Sequence, residues 1–420
     1  MLFLLVPVGL ATLAGLVVLW PGGEQTAAQQ AAESYLPPGT TYPQATIASL
    51  EPFVCAEATA EVPAQTCANA VVVIAEGGSA GDYVQVELPP EVVAEGVHVG
   101  DELVLQRDPG TDAGQAGYSF YDFPRGTPIV VLALFFTLVV GAVARLRGLL
   151  ALVGLGFAFA VLLQFMLPAV LDGGSPLWVS LVGSSAIMFV VLYLAHGFSA
   201  RTTTALLGTL FGLALSAVLG ALAVGAARLT GFSSEAAVTL QQYDATLDFS
   251  GLVLAATVVA GLGILNDVTI TQASAVWQLH EAAPEAGWRQ LFRRGMAIGR
   301  DHIASTVYTI VFAYAGAALP LLLLFEIYQR PFWVVLTGSE VGEEVIRTLV
   351  AGIALVLAVP VTTLIGALVA TAATTARPAP VAGPTEEERE AERRRERLRA
   401  LREGDPAAPS GAAARPRDPR

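Results

Sequence analysis

Gly261-Leu262-Gly263-Ile264-Leu265-Asn266-Asp267-Val268-Thr269-Ile270-Thr271-Gln272-Ala273-Ser274 closes a long apolar run that begins at Gly251. The stretch places an acid, two amides and three hydroxyls at membrane depth. A charge there costs about 3 kcal/mol or more, and it normally faces the protein interior or a water-filled path. At helical spacing Asp267, Thr271, Ser274 and Gln278 share one face. Gly261 and Gly263 allow a close helix approach or a locally unwound backbone. The competing reading is a satisfied polar contact within the bundle, or an ion pair from Asp267 to Arg300.

The surrounding chain supports a membrane setting. Of 420 residues 54% are hydrophobic and only 14% are charged, which excludes an ordinary soluble domain. Apolar runs at about 2–20, 128–144, 149–170, 177–196, 203–227, 251–276, 303–325 and 348–372 each approach or exceed the length of a crossing. The expected fold is therefore an α-helical polytopic membrane protein of about eight transmembrane helices. Residues 1–20 read as an uncleaved first helix or signal anchor. A cleaved signal peptide is the alternative, and the lack of a basic flank leaves room for a start further upstream.

Residues 21–125 differ in kind. Short β-like runs at 71–75, 83–88, 97–99 and 102–106 alternate with Gly- and Pro-containing turns, as in a small β-rich domain, barrel-like or sandwich-like. This segment holds fifteen Asp and Glu residues against only Arg107 and Arg125. Cys55 and Cys67 both fall in it, as a disulfide if the domain lies outside the cytoplasm or as two buried thiols otherwise. Residues 126–375 form a seven-helix bundle, and 376–420 form an Arg-rich tail, first helical and then disordered.

All 23 basic residues are Arg, and most recur on alternate loops: Arg145 and Arg147, then Arg201, then Arg289, Arg293, Arg294 and Arg300, with eleven more after residue 372, while the intervening, mainly acidic loops keep Arg330 and Arg347. That alternation puts both termini in the cytoplasm and the β-rich segment outside. Residues 284–299 read as a short helix lying on the inner leaflet, with Trp288, Leu291 and Phe292 on its apolar side. Gly208, Gly212, Ser216 and Gly220 make a small-residue packing stripe whose partner is in the same chain or in a second copy. The seventh run opens with Gly299-Arg300-Asp301-His302, and His302, Ser305, Thr306 and Thr309 fall in one arc. Asp301 is also explained as a helix cap.

No zinc-binding His-Glu-x-x-His, nucleophile elbow or phosphate loop occurs, so an enzyme is not expected, nor a metal, a cofactor or a nucleic-acid partner. The expected partners are membrane lipid, an unidentified solute or ion, and in one reading a second copy of the chain.

Three segments carry a family resemblance. Gly263-Ile264-Leu265-Asn266-Asp267-Val268 followed by Ser274, then Leu291-Phe292-Arg293-Arg294-Gly295-Met296-Ala297-Ile298-Gly299-Arg300-Asp301, then Phe312-Ala313-Tyr314-Ala315-Gly316, resemble the YibE/F family of bacterial multi-pass membrane proteins. The family more often has Met at the position of Asn266 and an apolar residue at that of His302. The resemblance implies a first helix, an external β-rich segment and a bundle in a bacterial plasma membrane, and it suggests transport.

The leading expectation is thus a permease or channel-like protein. Asp267 would be its ion- or proton-linked acid, Arg300 the neutralising partner and Asp301 the third member of a charged cluster. Asn266, Thr271 and Ser274 would support them, with His302 and Thr309 as lesser candidates. The alternative is a non-transporting assembly or sensor protein that binds an envelope partner through the β-rich segment.

Overall fold

The computed structural model describes residues 2–23, 25–33, 36, 38–58, 63–110, 117–375 and 390–395. Of the Arg-rich tail, 390–395 is helical and the rest lies outside the described residues. Helix α1 (Leu2–Val18) and the short α2 (Ala27–Ala32) lead into a five-stranded antiparallel sheet. Its strands are β1 (Gln44–Ala56), β2 (Gln65–Ile74), β3 (Tyr83–Leu88), β4 (Glu102–Asp108) and β5 (Gly117–Asp122), with α3 (Pro90–Ala94) between β3 and β4.

The strand order is β3-β2-β1-β4-β5, and the two edge strands approach each other, so the sheet curls toward a barrel. Alternate residues of β2, Ala68, Ala70 and Val72, turn inward onto Ile47, Val86, Leu88, Leu103 and Leu105, and Ile74 is buried in turn. Residues 97–99 are not a strand; Val97 instead tucks into the same core after α3. Strand β1 is hard to read because Pro52 interrupts it. Beyond Thr46 only β2 pairs with β1, so Pro52 has a free edge where its missing N–H does no harm. Cys55 of β1 and Cys67 of β2 are bonded to each other.

The remaining helices are α4 (Gly126–Val161), continued through a π-turn at Leu162–Met166 into α5 (Leu167–Leu171), then α6 (Pro176–His196), α7 (Ala200–Ala227), α8 (Glu235–Tyr243), α9 (Phe249–Ala282), α10 (Trp288–Ala317), α11 (Leu319–Tyr328), α12 (Phe332–Leu336) and α13 (Ser339–Thr375). Among the described residues five helices are long and apolar enough to cross a membrane, or six if α10 and α11, bent by 67°, form one broken span.

The eight expected crossings do not stand as eight separate helices, for three physical reasons. Residues 126–171 form one helical run, broken at Arg145, whose φ of 54° is non-helical. At that break a Cβ on Gly141 would sit 3.4 Å from Leu149, eight residues on, where a straight helix separates such residues by about 12 Å. The chain therefore kinks sharply there. Helix α1 has 17 residues, about 26 Å of helix against a hydrocarbon core of about 30 Å. The run 303–325 is interrupted after Ala317, where Pro320 lacks the N–H that would continue the ladder.

The core of the bundle is the trio α7, α9 and α13, with α6 and α10 packed on its flanks. The small residues of α7 explain the closeness of the trio. A Cβ on Gly208 would lie 2.0 Å from Thr362 Oγ1, one on Gly212 would lie 2.5 Å from Leu265, and one on Gly220 would lie 2.6 Å from Leu254. The Gly208-Gly212-Ser216-Gly220 stripe thus meets α9 and α13 of the same chain. The expected surface helix at 284–299 is corrected. From Trp288 it is one piece with α10, and Gly295 and Gly299 bring it against Thr363 and Val359 of α13. Leu291 is fully buried.

Two outcomes follow. Gly208→Ala should destabilise the purified protein by about 1–3 kcal/mol, and adding Thr362→Ala should recover most of that, as read by thermal unfolding in detergent. The Cys55–Cys67 link closes a short loop worth about 3 kcal/mol, so reduction should accelerate hydrogen exchange in β1 and β2 while leaving α9 unchanged.

Candidate functional site

The polar residues of α9 divide between two faces, and the division defines the site. Thr269 and Gln272 face inward. Gln272 is buried, and its Nε2 donates to Gly295 O at 2.9 Å and to Thr363 Oγ1 at 2.7 Å. Thr269 Oγ1 lies 2.7 Å from Thr209 Oγ1 on α7. A Cβ on Gly299 would come within 2.7 Å of Val359 and 3.1 Å of the Gln272 amide, so only glycine lets α10 close on this amide. The sequence reading gave Gln272 no role; its signal was an amide in the middle of an apolar run.

The opposite face of α9 is open. Ala256, Gly263, Asp267, Thr271 and Gln278 are exposed along it, with Ala260 and Ser274 half-buried. Helix α6 packs on one side of this strip and α10 on the other, without extensive contact between α6 and α10. The result is an open-sided groove with α9 as its floor. Its β-domain half is lined by small residues and its other half by polar ones. Asp267 lies about 27 Å along the helix from Phe249.

Several expected residues gather in this groove. Thr271 Oγ1 bonds to the Asp267 carbonyl at 2.7 Å and lies 3.4 Å from His302 Nε2 on α10. His302, the lesser candidate, is therefore the α10 residue that reaches the strip. Asp301, Ser305 and Thr309 follow one another at four-residue steps on the exposed side of α10, next to His302. Ser274 Oγ turns back to the Ile270 carbonyl at 2.7 Å. Asn266 is half-buried beside the strip, and its Oδ1 has no hydrogen-bond partner among the described residues.

Arg300 does not join them. Among the described residues the ion pairs are Arg125–Asp122 and Arg347–Glu344, so the expected Asp267–Arg300 pair is not formed. Helical periodicity explains this: Arg300 is one to two residues from Asp301 and His302 and points around the helix, where it shares a cavity of about 720 Å³ with Arg289, Arg293 and Met296. Among the described residues no group of three or more His, Cys, Asp or Glu is placed to hold a metal.

A second polar centre, at the β-domain end of the bundle, escaped the sequence reading. Glu343 on α13 is 5% exposed and accepts a hydrogen bond from Ser233 Oγ at 2.5 Å. Glu344 pairs with Arg347 one turn on, and Tyr314 of α10 lies within electrostatic reach of both. The signal was present as Glu340, Glu343 and Glu344 opening an apolar run. Without knowledge of Ser233 it reads as an ordinary acidic helix start.

No curated protein and no solved structure is significantly similar to this chain. The family model described as YibE/F-like protein matches residues 132–372, which span the kinked α4, the groove and both polar centres; the chain belongs to the YibE/F-like family.

Proposed function

We propose that this chain is a permease or channel-like protein whose path follows the α9 groove. The observation that carries the reading is an acid, Asp267, on the floor of an open-sided groove within membrane-crossing helices. Charges at that depth normally face a protein interior or water. Thr271, His302, Asp301, Ser305 and Thr309 supply further polar groups along the same groove, and the Glu343–Ser233 contact offers a second acid nearer the β-domain end. Asp267 is the ion- or proton-linked group. His302, beside Thr271, takes the neighbouring position first assigned to Arg300.

The proposal includes eight crossings of a bacterial plasma membrane, with α1 as the first and the break at Arg145 as a turn between two more. Basic residues on alternate loops favour cytoplasmic termini and an external β domain. A second reading, a non-transporting assembly or sensor protein that binds an envelope partner, draws support from a cavity of about 520 Å³ in the β domain. In that reading the polar groove is structural.

Asp267→Asn separates the two. In proteoliposomes carrying an internal pH-sensitive dye, the parent protein should pass protons or an ion down an imposed gradient, and Asp267→Asn should abolish the flux. Equal flux in parent and variant would remove Asp267 from the path, and lowered stability with no flux in either would favour the structural reading. The crossing at Arg145 is tested by single cysteines at Gly126 and Arg147. An impermeant thiol reagent should reach them from opposite sides of the membrane; labelling from one side only means that the first limb does not cross.

A further inference from the structure

We infer that the β domain carries a binding site for a zwitterionic amino acid or short peptide, in the cavity between the β2–β3 turn and strands β4 and β5. The cavity, of about 520 Å³, is lined by Tyr42, Ile74, Glu76, the Gly77-Gly78-Ser79 turn, Arg107 and Tyr118 among others. That size is within the usual range of about 300–1,000 Å³ for small-molecule pockets. The inference stands apart from the transport reading, because it concerns a different domain and its test measures binding alone.

Arg107 and Glu76 line the same cavity, yet they form no ion pair with each other or with any other described residue. The segment's other cation is already engaged: Arg125 bonds Asp122 at 2.5 Å, and that hydrogen bond holds the Asp122 carboxyl below its ordinary range. Arg107 is held at the rim by its backbone, which exchanges hydrogen bonds with Thr41 at 3.0 and 2.8 Å. A half-buried guanidinium without a carboxylate partner is built to take one bidentately.

The N–H groups of Gly77, Gly78 and Ser79 donate to no acceptor among the described residues, while the turn around them is closed by Gly81 N–H to Ile74 O at 2.9 Å. Successive free N–H groups in a turn favour an anionic oxygen. Glu76 then requires the ligand to bring a cation as well. The fifteen acids of residues 21–125 repel a simple anion but leave a zwitterion, with no net charge, unaffected. The faces of Tyr42 and Tyr118 offer apolar surface to a side chain.

The test uses the full chain in nanodiscs with its disulfide intact. Calorimetric titration is run with a panel of free L-amino acids, their N-acetyl derivatives and their primary amides. At least one free amino acid should bind, with its N-acetyl form and its amide each weaker by about tenfold or more. Arg107→Gln should lose the preference for the free carboxylate, Arg107→Lys should keep part of it, and Glu76→Gln should lose the preference for the free ammonium. Circular dichroism of each variant verifies the fold. Absence of binding across the panel overturns the inference. So does an N-acetyl form that binds as well as its parent, or binding unchanged in both Arg107→Gln and Glu76→Gln.

Discussion

A primary amide left without partners in hydrocarbon costs several kcal/mol, and Gln272 avoids that cost by bonding two helices at once. Its Nε2 reaches the Gly295 carbonyl on α10 and the Thr363 hydroxyl on α13. Both bonds require backbones closer than ordinary side chains permit, and the glycines at 295 and 299 allow that distance. On the same inward face of α9 the same logic holds: Thr269 meets Thr209 where Gly208 lets α7 approach Thr362 and Thr269. Since lipid is as apolar as leucine, close packing and a few satisfied polar bonds hold such a bundle together. The relative placement of α7, α9, α10 and α13 follows from this small set of contacts.

That arrangement also determines what is left over. With Gln272 and Thr269 committed inward, Asp267 and Thr271 fall on the opposite side of the helix, because they stand one to two residues from the inward pair. The packing that stabilises α9 therefore exposes its acid. On α10, Leu291, Gly295 and Gly299 face the bundle; His302 comes to rest beside Thr271, whereas Arg300 turns away toward Arg289 and Arg293. The charged trio suggested by proximity in sequence separates into a groove and a basic flank.

Parts of this were legible from residue order alone. The runs of apolar residues and the alternation in Tyr83–Leu88 depend on local periodicity, and they reappear as α6, α7, α9, α13 and β3. Strand β1 was obscured by Pro52, which is tolerated because one edge of the strand is unpaired. The break at Arg145 was seen as two separate apolar runs, while the folded chain keeps them in one kinked helical stretch. Glu343 looked like a helix start until Ser233, 110 residues away, supplied its partner.

The sequence by itself determined the solvent of each segment, since apolar length and charge spacing are summed along the chain and need no partner. It placed Asp267 inside a long apolar run, and it set the acidic, turn-rich residues 21–125 apart from the apolar helices. Only the tertiary structure decided which way each polar residue points. A helix offers every residue a different direction, and the choice among them was made by contacts with Thr209, Gly295 and Thr363 on other helices. The same holds for Arg107 and Glu76, distant in sequence and brought to one cavity by strand pairing.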